Sequence, residues 1–278
     1  MRSINKENIN AFIEYLKSNE MSKATMEKYN RDIHHFLNFT DGKSIDKSLC
    51  LEYKEHLGTS YAITSANSMI ASLNSFFKFM DWYDLCVKQF KVQKRVFCSE
   101  DAELTKNEYE RLVRTAKSKG KERINLVLQT ICGTGIRVSE LKFITVEAAM
   151  SGEAEVRCKG KNRVVFIVTK LRNLLLKYAK KHHITSGPIF VTRTGKVFDR
   201  SNIWREMKQL CKDAGVSEKK VFPHNLRHLF ARIFYGIEKD IAKLADVLGH
   251  SNINTTRIYI ISTGAEHKRR MENMRLII

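Results

Sequence analysis

Only two prolines, Pro188 and Pro223, interrupt 278 residues, and apolar side chains recur at three- and four-residue spacing almost throughout. A chain so free of helix breakers is predicted to be mainly α. In the first ninety residues Ile9, Phe12, Ile13 and Leu16 share one helix face, and Met26, Tyr29, Ile33, Phe36 and Leu37 share a second after the cap candidate Ser22. A third helix is expected near Ser48 to Leu57. A fourth starts near Ser65 and carries Met69, Ile70, Leu73, Phe76, Phe77 and Met80. These stripes read as the core of an N-terminal four-helix domain over residues 1–90.

The pattern breaks in "KQFKVQKRVFCSEDAE", a basic stretch running into an acidic one, which makes residues 91–103 the expected linker. Beyond it, Leu104 to Lys117 and Arg123 to Cys132 read as helices, the second ending in "GTG". From Glu153 to Thr169 the spacing changes to strand-like alternation around a K-G-K-N turn, a hairpin signal. A turn at "SGP" and a short strand "IFVT" follow, and helix resumes, so residues 104–278 are expected to form an α+β domain with a small antiparallel sheet.

Charge narrows the partner. The chain has 49 Lys and Arg against 30 Asp and Glu, a formal net charge of +19, which points to a polyanion. No run of about 18 apolar residues offers a membrane span, and the first residues are too polar for a signal peptide. A soluble protein of the cytoplasm, associated with the nucleoid, is expected. The six cysteines stand singly, without C-x-x-C or H-E-x-x-H, and the doublets His34-His35 and His182-His183 lack cysteines at ligand spacing. Neither a metal nor any cofactor is expected.

Four pieces of the second half carry chemistry: "GTGIRVSEL" (133–141), "CKGKNR" (158–163), "PHNLRHLFA" (223–231) and "LGHSNINTTRIY" (248–259). Taken singly, Arg137, His224, His250 and Tyr259 are ordinary helix, cap, loop and core residues. In this order and spacing they resemble the tyrosine recombinases, or phage integrases, in particular the small two-domain members. The resemblance covers the whole chain and rests on T-G-x-R-x-x-E-L, a hairpin lysine, H-x-L-R-H, and L-G-H followed nine residues later by Tyr.

That resemblance implies a SAM-like core-DNA-binding domain ahead of a catalytic domain. It also implies Tyr259 as a nucleophile that forms a 3′-phosphotyrosyl link and frees a 5′-hydroxyl. Arg137 and Arg227 would grip the non-bridging oxygens, since a guanidinium fork matches phosphate and stays charged. Lys159 matches the general acid, with Lys161 the competing assignment. His224 falls where the phenol's proton acceptor is wanted, His250 where a bond to a non-bridging oxygen is, and Glu140 supports the arginine and lysine from behind.

The expected function is site-specific recombination, serving integration or excision of a mobile element. Type IB topoisomerase-like relaxation and a non-catalytic DNA-binding role are the alternatives. Expected partners are a specific double-stranded core site, three further copies in a homo-tetramer on two duplexes, and an accessory DNA-bending or directionality factor. Met271, Met274, Leu276, Ile277 and Ile278 form a tail expected to pack on a neighbouring protomer. Two features depart from the family pattern: the linker lacks a proline before the catalytic domain, and the hairpin turn is short.

Overall fold

The computed structural model describes residues 2–92, 103–158, 161–259 and 271–274, the side chains of Cys158 and Lys161 excepted. The chain divides into two compact units, Met1–Lys94 and Arg95–Ile278. Of the linker expected over 91–103, residues 93–102 lie outside the described set.

The first unit contains α1 (Lys6–Ser18), α2 (Lys23–Thr40), α3 (Lys47–Ser60) and α4 (Ile63–Phe79). Side chains start three of them. Asn5 and Asn8 exchange side-chain and backbone bonds in a reciprocal cap on α1, and Ser22 accepts from Thr25 N at α2. Asp46 accepts from Leu49 N, which starts α3 one residue earlier than the apolar pattern alone indicates. The expected stripes face inward: Phe12, Phe36, Phe76 and Phe77 are fully buried, with Phe12 edge-on to Phe76 at 5.2 Å and Phe36 edge-on to Phe77 at 5.8 Å. Each such side chain contributes about 1.5–3 kcal/mol by leaving water. One charge joins this core. Asp32 is held by Lys28 at 2.5 Å and by the Ser72 hydroxyl at 2.7 Å, which ties α2 to α4. The first histidine doublet is structural: His34 bonds the Asn30 carbonyl, and the ring of His35 bridges the hydroxyls of Tyr53 and Tyr61.

The second unit orders α5 (Lys106–Ser118), α6 (Glu122–Thr134), α7 (Val146–Ser151), β1 (Glu153–Cys158), β2 (Lys161–Phe166), α8 (Thr169–Lys181), α9 (Arg200–Ala214), α10 (Pro223–Glu238), α11 (Ile241–Leu248) and α12 (Ile253–Arg257). Helix α6 is its centre. Ile124, Leu126, Val127, Leu128 and Ile131 are buried around most of its circumference, and α5, α8, α9 and α10 pack on it. Strands β1 and β2 pair antiparallel from Glu153↔Phe166 to Cys158↔Lys161, so Lys161 and Asn162 belong to the ladder and not to the K-G-K-N turn expected. The segment "IFVT" is no strand. The chain reverses at once through Thr192 and Gly195, closed by Thr192 N to Lys196 O, leaving room only for the isolated bridge Val191↔Val197.

Candidate active site

Helix α6 ends because Gly135 adopts a left-handed φ of +64°, and a Cβ there would stand 2.5 Å from a ring carbon of Phe230. The chain turns into a short 3₁₀ segment, Val138–Phe143, headed by Arg137. Glu140, one turn on, is 1% exposed. Its Oε1 accepts from Arg137 Nη1 at 2.8 Å, and its Oε2 accepts from the Arg137 backbone at 2.9 Å and from Arg163 of β2 at 2.7 Å. Burial pushes the Glu140 carboxyl up, but the two arginines and the backbone donor prevail and hold it below the usual range. Glu140 is thus a buried anion between two cations.

Pro223 at the first position of α10 pre-sets the helix, and Arg227 follows one turn later. Arg227 is 2% exposed. It donates to the Gly135 carbonyl, to Leu248 O at 2.7 Å and to His250 Nε2 at 2.9 Å. Burial, then the neighbouring Arg137, lower its pKa to about 10, while the nearby Tyr259 works the other way.

Helix α11 stops at Gly249, φ +65°, and His250 projects from the turn, half-buried. Because Arg227 can only donate, His250 Nε2 must accept. The proton therefore sits on Nδ1, which bonds the Thr256 hydroxyl at 2.9 Å. Burial and the charges of Arg227, Arg137 and Arg163 lower the His250 pKa to about 4, so the ring is neutral at pH 7. Asn252 caps α12 by accepting from Asn254 N.

Tyr259 follows α12, its amide bonded to Thr256 O, and is 5% exposed. Three imidazoles surround its ring: His228 at 4.3 Å, His224 at 5.5 Å and His250 stacked at 5.5 Å between centroids. Ala231, Leu244 and Leu248 complete the apolar wall. His224 is exposed at the start of α10, and desolvation, followed by Arg227, Arg137 and Arg200, lowers its pKa.

The fold thus brings Arg137, Glu140, His224, Arg227, His250 and Tyr259 into one cluster. Lys159 lies outside the described residues, and only the backbone of Lys161 is described, in β2. Among the described residues no group of three or more His, Cys, Asp or Glu is placed to hold a metal ion, and no described helix is long and apolar enough to cross a membrane. Of the tail, Met271 and Met274 are exposed, and residues 260–270 and 275–278 fall outside the description.

Sequence reasoning missed three participants. His228 lies four residues after His224 and hence on the same helix face, a signal present in H-x-L-R-H. Arg163 closes the quoted hairpin motif, but nothing in the motif assigns it a partner. Thr256 gives no sequence signal, since its task appears only when His250 lands beside it.

Two expected results follow from this packing. A Cβ on Gly249 would sit 2.3 Å from Arg163 Cδ, in a backbone conformation that side chains avoid. Gly249→Ala should therefore destabilise the catalytic unit by about 2–4 kcal/mol in urea unfolding. The second concerns pH. His228 is lowered to about 4 by burial, then by His224 and Arg227, and His250 is lowered to a similar value. Both bind their protons more tightly when unfolded, so their stabilisation is complete above about pH 6.5 and is lost as pH falls from there toward 4. Each contributes a slope of up to about 1.4 kcal/mol per pH unit in that window. Melting temperatures recorded from pH 8 to 4 should fall below 6.5, and His228→Gln should flatten the fall.

Comparison with known proteins identifies the family. Residues 102–266 match the model described as the phage integrase family, and residues 9–83 match its N-terminal SAM-like domain. A tyrosine recombinase, XerA of Pyrococcus horikoshii, is 30% identical over 284 residues, covering 99% of this chain and 95% of the relative. The crystal structure of XerA recombinase superposes with a TM-score of 0.55 at 26% identity, over 98% of this chain and 99% of that one. A lambda integrase tetramer bound to a Holliday junction gives a TM-score of 0.71 at 16% identity, over 91% of this chain and 76% of that one. The match of the family model across the catalytic half, and of a full-length relative across nearly the whole chain, places this protein in the phage integrase family, the tyrosine recombinases, which cut and rejoin DNA strands by transesterification.

Proposed function

We propose that this protein performs site-specific recombination between two duplexes, with Tyr259 as nucleophile and integration or excision of a mobile element as its task. The observation that carries the reading is the ring of Tyr259 enclosed by His224, His228 and His250, with Arg227 donating to the last of them. A scissile phosphate would enter this cluster beside the phenol. The non-bridging oxygens then take donors from Arg227 and from Arg137, whose side chain is 38% exposed and therefore accessible.

The step balances within these groups. Tyr259 Oη bonds to phosphorus as the bond from phosphorus to the 5′-oxygen breaks. The phenolic proton passes to His224, whose pKa is lowered by desolvation and then by the arginines around it, and Lys159 in the hairpin, or Lys161, protonates the departing oxygen. His250 buttresses Arg227 while its proton is on Nδ1. For His250 to donate to phosphate, that proton must move to Nε2, with the Thr256 hydroxyl turning to donate to Nδ1 in its place. Glu140 stays ionised behind Arg137.

The DNA partner follows from the net charge of +19, the active complex is a homo-tetramer on two duplexes, and the exposed Met271 and Met274 belong to the surface that joins protomers. An accessory DNA-bending or directionality factor would set the direction of exchange.

The test incubates the protein with DNA carrying both flanks of its own gene, nicked near candidate cut sites so that a cleaved strand is trapped. A 3′-linked protein adduct on a denaturing gel, followed by recombinant product from two intact copies of the mapped site, is expected. Relaxation of supercoiled DNA without exchanged product would instead identify a topoisomerase.

A further inference from the structure

Arg163 stands where three segments of the catalytic unit that are distant in sequence meet. Strand pairing sets it opposite Val156, a buried residue, and its side chain is only 12% exposed. One branch of its guanidinium, Nη2, donates to Glu140 Oε2 at 2.7 Å, and the other, Nη1, donates to Val247 O at 2.8 Å. The stem crosses the face of Gly249 so closely that a Cβ there would meet Cδ at 2.3 Å and Nε at 2.9 Å, and Nε is buried without a hydrogen-bond partner. A side chain wedged in this way is held by both of its ends and its middle.

We infer that Arg163 is a positioning residue that locks the β-hairpin, the Arg137 segment and the His250 turn into one rigid floor for the phosphate. The inference rests on the reading above, in which Arg137 and His250 serve the scissile phosphate. Two physical effects support it. Arg163 and the Arg137 amide together occupy Glu140 Oε2, so the side chain of Arg137 holds only Oε1, at 2.8 Å, and keeps its second amino group toward Gly249 O at 3.5 Å. Without Arg163, Glu140 is free to draw Arg137 into a two-pronged pair and away from substrate. The bond to Val247 O, three residues before His250, meanwhile fixes the turn from which the imidazole projects. Only a forked cation can do both, because its branches reach carbonyl and carboxylate at once, whereas a lysine ammonium at the end of a flexible stem serves one.

The experiment measures single-turnover adduct formation on nicked DNA at saturating protein, together with DNA affinity by fluorescence anisotropy and thermal melting. It uses full-length wild type, Arg163→Lys, Arg163→Met, Glu140→Gln, the Arg163→Lys/Glu140→Gln double variant and Arg137→Met. Arg163→Lys preserves the charge and should keep Kd within about twofold while slowing cleavage about tenfold; Arg163→Met should slow it about a hundredfold. The double variant should be no slower than about threefold beyond the worse single variant, because both act through Arg137.

Arg163→Lys cleaving at the wild-type rate, or rate losses that multiply in the double variant, would overturn the inference. If Arg163→Met does not fold, the lysine variant decides. Arg137→Met separates the two levels. Its cleaving normally sinks the reading of the phosphate site and this inference with it, whereas an inactive Arg137→Met beside a fully active Arg163→Lys sinks the inference alone.

Discussion

Tyr259→Phe is expected to bind the target duplex as tightly as wild type and to form no covalent adduct with it. The substitution removes one oxygen from a ring packed against His228, His224, His250, Leu244 and Leu248, and the ring itself keeps those contacts. Stability should therefore change by less than about 1 kcal/mol, the worth of one hydrogen bond. Strand cleavage should fall by more than about a thousandfold, because no neighbouring side chain can supply an oxygen nucleophile from the same position. A denaturing gel beside an equilibrium binding titration checks both halves. Residual adduct at a tenth of the wild-type rate would mean that Tyr259 is not the nucleophile.

Arg227→Lys carries the second large effect, and it should strike stability and activity together. The guanidinium serves the carbonyls of Gly135 and Leu248 and the ring of His250 from a site 2% exposed. An ammonium on a shorter stem cannot span all three, so at least one buried acceptor goes unpaired, at a cost of about 1–3 kcal/mol. The loss also frees His250 from Arg227 and removes one of the two forks proposed for the phosphate, so cleavage should drop by at least about a hundredfold. Chemical denaturation and single-turnover cleavage measure the two effects separately. A variant with wild-type stability and a wild-type rate would show that Arg227 neither braces the Leu248–His250 turn nor touches substrate.

How much of this could be read without coordinates differs by element. The helices of the first unit were legible because period and caps agree: Ile9, Phe12 and Leu16 mark one buried face, and Ser22 marks the start of α2. The early start of α3 was not, since Asp46 lies outside the apolar stripe and acts only through its bond to Leu49 N. At "IFVT" local composition favoured a strand, but strand identity depends on a partner, and the chain turns back before one can form.

The order and spacing of Arg137, Glu140, His224, Arg227, His250 and Tyr259 pointed to the candidate site from sequence through their resemblance to the motifs of the tyrosine recombinases. The same residues could not reveal the proton's place on His250. That depends on Arg227, 23 positions away, presenting a donor, and on Thr256 offering an acceptor. Nor could they show that Glu140 is shared between Arg137 and Arg163, or that Gly249 is glycine because an arginine from β2 lies across it. Sequence determined where the helices lie and which residue types are on offer, since periodicity, capping and motif spacing are local. Tertiary structure alone decided which groups share protons and charge, because hydrogen bonds and burial act over a few ångströms between residues that lie as far apart in the chain as Arg137 and Gly249.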